Sequence, residues 1–424
     1  MSRYIYIIIL FILTVAHTVA QDNITYRTTS LDDRIHSLQV MSNRGFISPP
    51  VIELGRDDHI NISFDLFGDE QEDLSYSVIH CNANWKPSLL STLEYINGFD
   101  VQQLSDWALS FNTRRSYVNY KLQLPNSEIS FKVSGNYAVV VYPQNDRKQP
   151  LLYACFSVSE DAVKIDCDAN SRTDVGYTGE FQQVSFRIAR RNYDIVNPTS
   201  DLKIYVMQNN RLDNMAFVST PQYFNNNEIV YEHNRDLIFE AGNEYRRFET
   251  VNSRFKGMRV ERLAYFDPYY HAILETDRPR TENSYQYDET QHGKYLIRES
   301  DYEENSDTQG DYFVVHFTLD TQGMLLPAGD IYIDGELAEN RFGERMRMML
   351  NPKTGMYEKI VMLKQGSYNY QYLFVPKGET KGKSSVIEGN KYQTSNEYRV
   401  NVYHRRPGER YDRLIGISRC LTSR

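Results

Sequence analysis

Nine histidines, four cysteines and 56 acidic residues are the groups in this sequence best suited to catalysis or metal binding. Their spacing supports neither. The histidines stand singly. His80 beside Cys81 and His271 after Tyr269-Tyr270 are in crowded settings, yet neither has a second ligand at the short spacing that zinc sites use. Gly-x-Ser-x-Gly, His-Glu-x-x-His, Cys-x-x-Cys and Gly-x-Gly-x-x-Gly are all absent. The run Gly378-Glu379-Thr380-Lys381-Gly382-Lys383-Ser384 imitates a phosphate loop but has one residue too few between its glycines, and no helix start follows it. It reads as a solvated hairpin turn. Paired carboxylates for glycoside hydrolysis meet in space rather than in sequence, and nothing singles out two among the acids. The expectation is a protein with no catalytic residues, no metal and no cofactor.

The cysteines take their meaning from the N-terminus. Arg3, the apolar run Ile5 to Leu13, and the small residues Thr18 and Ala20 before Gln21 read as a secretory signal peptide over residues 1–20. No Cys stands at the expected mature N-terminus, and no later run approaches the ~18–20 apolar residues of a spanning helix. The expectation is an exported chain without a membrane span. Cys81, Cys155, Cys167 and Cys420 would then meet an oxidising compartment, where four cysteines allow three full pairings. Cys81 with Cys155 is favoured because both lie in strand-like segments of one unit. Four reduced, buried cysteines is the alternative. The net charge of −9 argues against nucleic acid or an anionic membrane as partner.

The elements that must carry these residues are strands. Ile60, Ile62, Phe64 and Leu66 alternate with polar neighbours, as do Val118 to Leu124, Tyr137 to Val141, Val184 to Ile188, Leu202 to Val206, Phe313 to Leu319 and Tyr368 to Phe374. The best helical candidate, Val101 to Leu109, is barely two turns. Thirty-three tyrosines suit both strands and binding surfaces. The fold expected is all-β, with tandem immunoglobulin-like β-sandwich domains at 21–160, 161–300 and 301–424. The polar Ser159-Glu160-Asp161 and the acidic stretch Glu299 to Asp311 mark the boundaries.

Several blocks then resemble the type IX secretion system plug protein family of Bacteroidota. They include Leu38-Gln39-Val40-Met41, Val51-Ile52-Glu53-Leu54-Gly55, His80-Cys81-Asn82-Ala83-Asn84-Trp85, Ser110-Phe111-Asn112-Thr113 and Ser134-Gly135-Asn136-Tyr137. Phe46, Pro49-Pro50, Glu94-Tyr95, Gly98-Phe99, His233-Asn234-Arg235, Ala241 to Glu249, Glu388-Gly389-Asn390 and Gly408 to Arg413 complete the set, which spans nearly the whole chain. The resemblance implies a non-catalytic periplasmic protein, monomeric within a hetero-complex. It would dock on a large outer-membrane translocon β-barrel and close its periplasmic opening.

Such a stopper needs a releasable face of aromatic and Arg residues. The candidates are Tyr245, Arg246, Arg247 and Phe248, with Arg410, Tyr411 and Arg413 in the tail. A competing reading is a carbohydrate-binding envelope protein, because Phe313 to Leu319, Ile331 to Gly335, Tyr357 to Leu363 and Gly366 to Phe374 resemble a glycogen-binding immunoglobulin-like fold. Both tryptophans, Trp85 and Trp107, lie outside that unit. A cargo protein of the same secretion system is a third reading. The ending Leu414 to Cys420 does not look like its sorting domain.

Overall fold

Alternation at period two leaves each strand with one apolar row, and two such rows must face each other to leave water. In the computed structural model, which describes residues 24–144, 146–175, 179–301 and 305–422, this happens three times. The expected signal peptide lies outside the described residues.

In the first sandwich one sheet runs in the order Thr29–Ser30, Leu152–Ser159, Gly135–Pro143, Leu74–Cys81, Gln102–Leu104, with Val51–Glu53 parallel to Leu152–Ser159. The facing sheet runs Ile35–Ser42, Ile60–Phe67, Tyr117–Leu124, Asp106–Leu109. Ile60, Ile62, Phe64 and Leu66 are buried between the two sheets, as their alternation requires. Val101 to Leu109 is extended rather than helical, because Gln102–Leu104 and Asp106–Leu109 pair with strands of opposite sheets.

The other two cores depart from a linear division of the chain. The second sandwich packs Lys164–Asn170, Phe181–Ala189 and Glu228–Tyr231 against a sheet of Ala216–Val218, Leu202–Gln208, Glu397–His404 and Arg413–Leu421. Its last two strands come from the C-terminal end. The third sandwich is inserted between, its core drawn from Phe248 to Ile387. Arg246–Glu249, Gly366–Pro376 and Tyr295–Ile297 form one sheet; Val260–Phe266, Tyr269–Leu274, Tyr312–Leu319, Tyr357–Lys364 and Met349–Leu350 form the other. The stretch Glu299 to Asp311 is therefore a connection inside one sandwich and not a boundary. Glu299 and Asp311 at its two ends are buried, so the acidic composition here does not mark a solvated linker.

The cysteine pairing also differs. Cys167 and Cys420 form the disulfide, with Cα atoms 5.8 Å apart, and join the first and last strands of the second sandwich. Cys81 and Cys155 are free and buried. The strand Gly135–Pro143 lies between theirs, with Cys81 opposite Asn136 and Cys155 opposite Ala138. Two strand spacings of about 4.8 Å each put their Cα atoms beyond the roughly 7 Å that a disulfide spans. Burial pushes the Cys81 thiol up to about 12.

Candidate docking surface

The residues chosen from sequence divide into two groups, and neither forms a free binding face. Arg246 and Phe248 occupy the inward positions of Arg246–Glu249, which pairs with Tyr370 and Tyr368. Arg246 donates to Glu388 through Nε at 3.0 Å and to Asp277 through Nη1 at 2.7 Å. Asp277 also accepts from the hydroxyls of Tyr370 at 2.6 Å and Tyr372 at 2.9 Å. Burial pushes the Glu388 carboxyl up, but Arg246 and Arg280 overcome this and hold it at about 2. Phe248 stacks on Tyr368, and the buried Tyr245 hydroxyl accepts from Gln371 at 3.0 Å. Only Arg247 reaches outward, to Asp288 at 2.6 Å. Tyr245, Arg246 and Phe248 are thus core residues that a partner cannot touch. Their acidic counterparts stand far away in sequence, which hid the pairing.

The tail residues clamp the second sandwich to the first. Arg410 pairs with Glu94 and donates to the Leu89 carbonyl at 3.3 Å. Arg413 pairs with Glu160 at 3.0 Å, and Tyr411 packs edge-on against His80. Buried Asp412 accepts from the Ala83 amide at 3.0 Å and from Arg405 at 2.7 Å, while Arg405 also donates to Asn82 at 2.7 Å. His80 is a satisfied structural histidine: its Nδ1 lies 2.8 Å from Ser88 Oγ and its Nε2 3.1 Å from the Ser134 carbonyl. Burial lowers it to about 4.

A third joint was invisible in the sequence. Asp65 belongs to the polar row of its strand but is fully buried against the third sandwich. It accepts from Lys364 Nζ at 2.6 Å, the Tyr312 hydroxyl at 2.7 Å and Asn119 Nδ2 at 2.7 Å. Lys364 also donates to the Asp307 carbonyl at 2.6 Å and sits 4.2 Å above the Tyr117 ring. Alongside, Asp311 accepts the Arg114 amide, Tyr117 donates to the Gly310 carbonyl, and Lys294 donates to the carbonyls of Phe46 and Ser48. Buried ionic groups must be saturated with partners. Here the saturation comes from two sandwiches at once, so separating them would strand charge in an apolar setting.

What remains for a partner is an exposed aromatic edge. Asp106–Leu109 is the last strand of its sheet and is exposed along its whole length, so its outer backbone groups are open to an added strand. Trp107, Leu109 and Phe111 lie along it, Phe111 being 70% exposed. The following loop brings the Arg114 guanidinium 5.4 Å above the ring of Tyr265, beside exposed Phe266. This line of aromatics and Arg crosses from the first sandwich to the third. It rims a groove of about 780 Å³ lined by Phe111, Arg114, Arg254, Tyr270 and Asp311. The aromatic and Arg composition is that of interface hot spots.

A family model described as the type 9 secretion system plug protein 1st domain matches residues 35–160, the span of the first sandwich. A crystal structure of a hypothetical protein from Parabacteroides merdae ATCC 43184, at 2.30 Å resolution, is 46% identical; the match covers 94% of this chain and 100% of that one, with a TM-score of 0.92. No curated protein matches the chain.

Proposed function

This chain belongs to the type 9 secretion system plug protein family and takes part in type 9 secretion, and from that premise we propose that it is a non-catalytic stopper. It docks in the periplasm on the large outer-membrane translocon barrel and closes the periplasmic opening when no cargo is engaged. One observation carries the reading: three sandwiches are locked into a single block by buried charges shared between them, Lys364 with Asp65 foremost. A stopper across a wide pore must hold its shape without help from the pore. A flexible chain of domains would pay ordering entropy on docking and leave gaps.

The proposed docking surface is the edge from Trp107 to Phe111 with Arg114, Tyr265 and Phe266. An exposed edge strand offers main-chain hydrogen bonds to a strand or extended loop of the barrel's periplasmic rim, and its aromatics supply affinity. The carbohydrate-binding reading gains nothing from the third sandwich, which has no tryptophan.

The test is co-purification of the tagged protein from its native envelope. The reading expects one very large outer-membrane barrel at near-equal amount, and its loss with Trp107→Ala plus Phe111→Ala. Recovery of the protein alone, or with polysaccharide, would refute it.

A further inference from the structure

His271 and His316 stand side by side on the outer face of the third sandwich. Their strands, Tyr269–Leu274 and Tyr312–Leu319, run parallel, with His271 opposite Val314 and His316 opposite Ile273. Ala272, Val315 and Phe317 point into the core, so strict alternation turns both imidazoles outward. Nδ1 of His271 lies 2.8 Å from Nε2 of His316. Both rings are part-exposed, and the Phe266 ring packs against His271 at 5.0 Å between centroids.

We propose that this pair chelates one divalent transition-metal ion of the Cu²⁺, Ni²⁺, Zn²⁺ class. Two imidazole nitrogens bound at about 2.0–2.1 Å to one ion, at a bond angle of roughly 90–110°, are about 2.9–3.4 Å apart. Chelation replaces the 2.8 Å hydrogen bond: both rings must turn so that their lone pairs converge on a point beside the line joining the two nitrogens. Without metal, the two nitrogens share one proton in an N–H···N hydrogen bond. With metal, the donating ring moves that proton to its other nitrogen, both lone pairs bind, and two waters leave the ion. No net proton is released.

No group of three His, Cys, Asp or Glu able to hold a metal exists among the described residues. The site therefore offers two protein ligands and leaves the remaining positions to water. Such a site selects by the intrinsic order of divalent ions, so Cu²⁺ binds more tightly than Ni²⁺ or Zn²⁺. Sequence could not show this pair, since 45 positions separate its members. The proposal is independent of the docking reading.

The test is calorimetric titration of the untagged protein with Cu²⁺, Ni²⁺ and Zn²⁺, joined to electron paramagnetic resonance of the Cu²⁺ form. The expected result is one saturable equivalent of Cu²⁺ with hyperfine coupling to two imidazole nitrogens. His271→Gln and His316→Gln should each weaken binding at least tenfold, His233→Gln should leave it unchanged, and all three variants should melt as the parent does, being surface changes. Absence of a saturable equivalent, or binding of equal strength in either His271→Gln or His316→Gln, overturns the proposal.

Discussion

Replacing Lys364 with Met keeps the unbranched apolar stem and removes the terminal ammonium with its charge. Asp65, fully buried, would lose its Lys364 partner while retaining the hydrogen bonds from Tyr312 and Asn119. Burial pushes Asp65 up and Lys364 down, each towards neutrality, and each partner only partly opposes that pressure on the other. Removing one member of a buried pair typically costs about 3–5 kcal/mol, because the other is left without compensation. Unfolding entropy is about 2.1 cal/mol/K per residue, or roughly 0.8 kcal/mol/K for a block of about 400 residues. If the three sandwiches melt together, Lys364→Met lowers Tm by about 4–6 °C in one transition. If the third sandwich, about 140 residues, melted alone, the same loss would appear as roughly 10–17 °C in a separate transition. Differential scanning calorimetry distinguishes these outcomes. The double variant Asp65→Asn with Lys364→Met should recover most of the loss. A single-variant cost below about 1 kcal/mol, the worth of an exposed pair, would refute the claim that this joint is dry and binding.

Other consequences can be checked separately. Replacing Cys167 and Cys420 with Ser should cost up to about 5 kcal/mol by loop entropy for a closed loop of 253 residues, while the two remaining thiols should react with a thiol reagent only after denaturation. Acid should destabilise the fold. His80 is near 4 when folded against about 6.5 unfolded, so its contribution of about 3 kcal/mol is complete above pH 6.5 and is lost as pH falls from there through 4. His36, near 3, and His292, near 4, act in the same direction, and His80→Gln should flatten the slope of stability against pH in urea titrations. At Gly135, where φ is +141°, an added Cβ would lie 2.3 Å from Nε2 of His80, so Gly135→Ala should destabilise by about 1–3 kcal/mol or more in the same assay.

The strands were legible because their apolar rows repeat at period two, from Ile60 to Leu66 and again from Phe313 to Leu319. Which strands share a core was not, since Glu397–His404 returns to the second sandwich after the whole third one. Several of the resemblance blocks meet one another in the fold. Asn82 and Ala83 meet Arg405 and Asp412, close to the Gly408 to Arg413 block; Arg246 meets Glu388; Gly242 donates to Asn390. Arg and Tyr in such blocks look like surface hot spots, but here they are spent inside the molecule. The Asp106–Leu109 edge carries no strand signal because all four of its residues are exposed, so no buried apolar row marks it. Lys364 and Asp65 carry no signal at all, being ordinary charges until two sandwiches close on them.

The central claim is closure of a pore, and ion conductance tests it most directly. The purified translocon barrel, reconstituted in a planar bilayer, should pass a large current that falls to near baseline when this protein is added on the periplasmic side. The Trp107→Ala plus Phe111→Ala variant should leave the current open at the same concentration. Tight binding of the unaltered protein to the barrel with no fall in conductance would contradict the account.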